Sequence, residues 1–146
     1  MTTTTKNTSG FTDAERAAMK ERAAELRAEG KKGAKKADDL QNLLEKIAEM
    51  EDADRVMAER LHILVGEAAP ELTPKTWYGM PAYAKDGKVV LFFKPAAKFK
   101  NRYATLGFSD AAALDDGPMW PAEFALARLT PAAEKQITAL VTRAIG

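Results

Sequence analysis

Three sets of side chains have types and spacings that could do chemistry. The first is acidic. Glu45, Glu49 and Asp52 stand at i, i+4 and i+7, so an uninterrupted helix would place them on one face. Asp38 and Asp39 precede them, and Glu51 and Asp54 lie alongside. Carboxylate oxygens hold hard cations, which makes Glu45, Glu49 and Asp52 the candidate metal ligands. The solvated face of an amphipathic helix has the same pattern. The second set is aromatic: Trp77, Tyr78, Pro81 and Tyr83 fall within seven residues, with Lys94 and Trp120 further on. Indole and phenol rings combine apolar area with a polar tip, and a lysine can fix an anionic group. These six residues are the candidate ligand-binding set. The third is basic. Lys94 to Arg102 carries Phe99 among its cations and leads into Tyr103, a combination that can bind single-stranded nucleic acid. No recognised RNA-binding motif accompanies it and the sequence pI is about 7.9, so nucleic acid is disfavoured as a partner.

Enzymatic constellations are sparse. Glu59 and His62 have the Glu-x-x-His spacing of carboxylate-bridged di-iron sites, but such sites need two motifs and the chain has one His. Ser9 and Ser109 are the only serines, and neither stands in a nucleophile elbow. Glycine-rich phosphate loops and dinucleotide fingerprints are absent. Asp110, Asp115 and Asp116 read as turn residues rather than as an acid–base set. A non-enzymatic protein is the expectation.

The chain of 146 residues has the length of one domain. It contains no cysteine, which excludes disulfides, Cys-ligated metals and thiol catalysis. No apolar run is long enough to span a membrane, and the opening MTTTTKNTSG lacks the apolar core of a secretory signal, so a cytoplasmic location is expected. Net charge is +1, but its distribution is uneven. Residues 37–71 hold ten acids against three bases, and residues 75–102 hold seven bases against one acid.

The elements that position these side chains can be read from periodicity. Residues 1–10 read as a disordered polar tail, and residues 11–36 as an N-terminal helix followed by a Lys-rich linker. Thr12 or Asp13 caps that helix, which runs to about Glu29. Met19 and Leu26 are its large apolar residues on one face, which predicts weak docking. A second helix from about Asp38 carries Leu40, Leu43, Leu44 and Ile47 as one stripe. After a break at Met50 to Asp52, a third helix capped by Asp52 carries Met57, Leu61, Leu64 and Val65 to about Ala68. Pro70 and Pro74 end this helical half.

Trp77 to Tyr83 reads as one extended strand. Trp77, Gly79, Pro81 and Tyr83 then share a face, and Pro81 forces an edge or a bend. Asp86-Gly87 predicts a hairpin between Ala82–Lys85 and Lys88–Lys94. The wholly apolar Val89–Phe93 predicts a central strand. Strands are also expected at Tyr103–Phe108 and Phe124–Leu129, and Thr130-Pro131 opens a final helix. Helices, then strands, then one helix make an α+β domain over residues 37–146, with an antiparallel sheet of four to five strands.

The run Trp77-Tyr78-Gly79-Met80-Pro81-Ala82-Tyr83 resembles the YdhG-like family of small bacterial domains, mostly of unknown function. The Gly87-to-Phe93 strand, the Pro70 bend and the Lys98-to-Phe108 segment extend the likeness over about residues 40–146. The family often has Lys-His where this chain reads Lys98-Phe99-Lys100. The resemblance implies a frataxin-like fold. Two functions are expected: from the residues, an accessory protein binding a small molecule or a protein through the aromatic sheet surface; from the resemblance, a frataxin-like iron chaperone. In the second, iron would be bound weakly through Glu45, Glu49 and Asp52.

Overall fold

The computed structural model describes residues 11–29 and 36–146. The expected tail at 1–10 and most of the expected linker lie outside the described residues. Three helices, α1 (Asp13–Glu29), α2 (Lys36–Ala48) and α3 (Asp52–Ala68), precede the strands. The strands are β1 (Thr73–Trp77), β2 (Met80–Lys85), β3 (Lys88–Lys94), β4 (Ala104–Phe108) and β5 (Glu123–Leu126), and α4 (Pro131–Ala144) closes the chain. All neighbouring strands are antiparallel and their spatial order equals their sequence order. The protein is therefore α+β with a five-stranded meander, in the expected class.

Local chemistry explains most boundaries. Thr12 and Glu15 form a reciprocal capping box at α1: the Glu15 N–H donates to Thr12 Oγ1 and the Thr12 N–H to Glu15 Oε1. Thr130 Oγ1 accepts from Ala133 N–H at α4, with Pro131 in the first turn. The cap of α3 differs from expectation. Glu51 occupies the cap position without a side-chain bond, and Asp52 is already helical, paired with Arg55. In the β2–β3 turn, Asp86 and Gly87 both have positive φ, as a two-residue hairpin requires.

The larger correction concerns Trp77–Tyr83. It is two strands, not one. Tyr78 (φ 55°) and Gly79 (φ 74°) form a second two-residue turn, and Trp77 pairs with Met80 across it. The chain before it, with Pro74 inside, is the edge strand β1 rather than the end of the helical half. Pro81 lies in β2, between β1 and β3, and not on an edge. The β2–β3 ladder starts at Ala82, so the missing N–H of Pro81 falls outside it.

The inner face of the sheet carries Tyr83, Leu91, Phe93 and Leu106, all essentially without solvent exposure. They pack against Leu43 and Ile47 of α2, Leu61 and Val65 of α3, and Ile137 and Val141 of α4. The predicted α2 stripe is narrower than expected, since Leu40 and Leu44 stay exposed. The opposite, outer face carries Trp77, Met80, Phe92, Lys94, Thr105 and Glu123, and α1 lies against it through Ala18 and Met19, with Phe11 just before the helix.

Candidate functional site

The outer face forms a groove of about 370 Å³ between α1 and the sheet. Strand alternation places its floor. Phe92 and Lys94 are two apart on β3, and their partners Gly107 and Thr105 stand beside them on β4. The Phe92 ring lies directly over Gly107, where a Cβ atom would run into it. Glycine at 107 therefore lets the ring lie flat on the sheet. Trp77 packs against Phe92 with centroids 5.2 Å apart, and against Tyr78 edge-on at 4.9 Å. Phe99 forms a side wall, with the Lys94 ammonium 5.0 Å and the Lys98 ammonium 5.6 Å from its centroid. Asp54 supports that wall: its buried carboxylate accepts the Ala96 and Ala97 N–H groups at 3.2 and 2.9 Å, fixing the turn that presents Lys98 and Phe99.

Three of the six candidate ligand-binding residues meet here: Trp77, Tyr78 and Lys94. Pro81 and Tyr83 are buried on the inner side of β2. Tyr83 donates to or accepts from His62 Nδ1 through its hydroxyl at 3.0 Å, and burial pushes its pKa upward. Burial also lowers the pKa of His62. Trp120 lies in the exposed chain between β4 and β5 and does not line the groove. Phe11, Phe92 and Phe99 are the aromatic members that the candidate set omitted. The signals for the latter two were the two-residue spacing of Phe92 from Lys94 and the position of Phe99 among cations.

The acidic candidates are not brought together. α2 ends at Ala48 and α3 begins at Asp52, so no continuous helix joins Glu45, Glu49 and Asp52. Glu45 accepts from Gln41 Nε2 at 3.3 Å, Glu49 faces Lys46 at 3.5 Å and Asp52 faces Arg55 at 2.8 Å. Among the described residues no three His, Cys, Asp or Glu side chains are placed to hold one metal ion. Glu59 lies 3.9 Å from Arg55, while its motif partner His62 faces Tyr83.

α1 is held on the domain by a polar clasp. Glu21 pairs with Lys46 at 2.6 Å and with Lys98 at 2.7 Å. Burial alone would raise the Glu21 pKa, but hydrogen bonds from the two lysines outweigh it and hold the carboxyl below its ordinary range. Burial likewise works against the Lys46 charge, and Glu21 and Glu49 more than offset it, raising the Lys46 pKa. One turn further along α1, both oxygens of Glu25 accept backbone N–H groups, from Tyr78 at 3.0 Å and Gly79 at 3.1 Å. Arg22 sits 5.9 Å over the Tyr78 ring. Gly79 suits glycine on two counts: its φ is positive, and a Cβ would push aside the Glu21 carboxylate and the Lys98 ammonium.

Compared with known proteins, the chain matches no family model, no curated protein and no solved structure. No helix among the described residues is long and apolar enough to cross a membrane.

Proposed function

We propose that this chain is a non-enzymatic binding protein whose ligand is a small molecule with a flat apolar body and an anionic group, seated between α1 and the outer face of the sheet. The supporting observation is the composition of the groove. Trp77, Tyr78, Phe92 and Phe99 line it rather than filling it, and Lys94 stands at its side. Lys94 rests on the Phe99 ring and has no carboxylate partner among the described residues, so its charge is available to a ligand. Two carboxylates also line the groove: Glu15 is held by the Thr12 N–H of the capping box, and Glu123 stands in the Phe92–Gly107 row of the sheet, one row away from Lys94. Aromatic walls with a few convergent polar and charged groups are a common makeup of small-molecule sites. The resemblance of Trp77–Tyr83 to the YdhG-like family belongs to the same proposal, because that run supplies both the floor and the turn. Iron handling gains no comparable support, since its three carboxylates are engaged separately.

The test is a thermal-shift screen of anionic aromatic metabolites on the wild type and on Lys94→Met. A hit should raise the melting temperature of the wild type and lose most of that shift in the variant. If no anionic aromatic compound shifts the wild type, or if hits ignore Lys94, the proposal fails.

A further inference from the structure

The contacts of α1 are ligand-like, and the two points that hold it belong to the rest of the domain. At one, the consecutive Tyr78 and Gly79 N–H groups converge on a single carboxylate, 3.0 and 3.1 Å from its two oxygens. Successive backbone N–H groups in a turn make an anion-binding concavity. At the other, the ammonium groups of Lys46 and Lys98 both reach one carboxylate, and Lys98 is also 3.4 Å from the Gly79 carbonyl oxygen. The occupants, Glu21 and Glu25, are four residues apart on a helix, so the two points are spaced for carboxylates one helical turn apart. Little apolar burial holds the occupant. Phe11, Met19 and Leu26 keep 46%, 37% and 51% of their surface exposed, and among the described side chains of α1 the buried apolar one is Ala18.

We propose that the Tyr78–Gly79 turn, Lys46 and Lys98 form a recognition site for an acidic peptide helix bearing two carboxylates at i and i+4, and that α1 occupies it in cis and is displaced by such a helix from a protein partner. The site adjoins the aromatic groove, sharing Tyr78 with it and the wall that α1 supplies, but it does not depend on the groove having a ligand. A helix is favoured over a free dicarboxylate because the helix presents both carboxylates already spaced, without ordering a flexible linker. The tethered α1 competes at an effective concentration on the order of mM, so the site is masked until a partner outcompetes it.

The experiment uses full-length Glu21→Lys/Glu25→Lys, whose new lysines repel Lys46 and Lys98 and vacate the site. Its fold is checked by near-UV circular dichroism. A fluorescein-labelled peptide of residues 11–29 is titrated in and followed by anisotropy. It should bind saturably, and about tenfold or more weakly when its two glutamates are glutamine, because charge-assisted bonds are lost. Binding should weaken as salt rises and should vanish when Lys46→Met/Lys98→Met is added. Equal binding of the Glu and Gln peptides, no binding of either, or displacement by glutarate at the peptide's own concentration would each overturn the proposal. If the charge-reversed variant does not fold, the wild-type chain decides. Excess peptide should then speed amide exchange across α1 while β3 stays protected, and unchanged exchange in α1 would overturn the proposal.

Discussion

The two faces of the sheet are held to their helices by different physics. On the inner face, Tyr83, Leu91, Phe93 and Leu106 are sealed against α2, α3 and α4, and the attachment is apolar area. On the outer face, α1 is attached through Glu21 and Glu25 to two lysines and two backbone N–H groups, while its large apolar side chains stay substantially exposed. Apolar burial is neither screened by salt nor titrated, and it is lost only on unfolding. A partly exposed polar clasp is screened by salt and exchanges with competing anions. The inner face therefore carries stability, and the outer face carries a groove and a helix that can be moved without unfolding the domain.

Substitutions that cross this divide should rank accordingly. Leu91→Ala removes a fully buried inner-face side chain and should cost about 2–5 kcal/mol in urea or guanidinium denaturation, the largest effect. Gly107→Ala drives a methyl group into the Phe92 ring on the outer face and should cost about 1–3 kcal/mol, with loss of ligand binding in the groove. Gly79→Ala should cost about 1–2 kcal/mol from the left-handed backbone alone, and should also expose α1 to proteolysis because the new methyl meets Glu21 and Lys98. A melting loss without cleavage in α1 would contradict the clasp.

Acid should separate the faces too. The Glu21 pKa is lower in the folded state, so its contribution is complete above the unfolded value near 4.5 and is lost as pH falls through the folded value. The protection of α1 amides, taken relative to the intrinsic exchange rate at each pH, should therefore fall on acidification below about pH 4.5, before that of β3 does. The smallest effect is expected at His62. Its folded pKa is also depressed, so the unfolded chain takes up the proton first and stability declines as pH falls below the ordinary 6.5. His62→Gln should flatten that decline between pH 7 and pH 5, measured by denaturant midpoints.

The inner face was largely legible in the sequence, and the outer one was not, for local reasons. Val89–Phe93 announces a central strand because every residue is apolar, and Asp86-Gly87 announces its turn because both residues tolerate positive φ. Tyr78-Gly79 makes the same kind of turn with an aromatic residue at φ 55°, which local preference does not favour. Reading through it as one strand put Pro81 and Tyr83 on the same face as Trp77, whereas the turn sends them to the core. The weak apolar content of α1 was visible. Its docking was not, because the groups that receive Glu21 and Glu25 lie 25 to 77 residues away in sequence. The acidic i, i+4, i+7 pattern depended on an unbroken helix, and the break between Ala48 and Asp52 removes that condition.

The groove as a ligand site can be probed through its own indole. In a Trp120→Phe background, Trp77 is the sole tryptophan, and titration with the anionic aromatic probe 1-anilinonaphthalene-8-sulfonate reports on the groove by quenching and energy transfer. Saturable quenching of Trp77 at one site, weakened about tenfold or more by Lys94→Met through the lost charge contact, is the predicted result. Quenching that does not saturate, or that is unchanged by Lys94→Met and Gly107→Ala, would contradict the assignment of the outer face as a binding site.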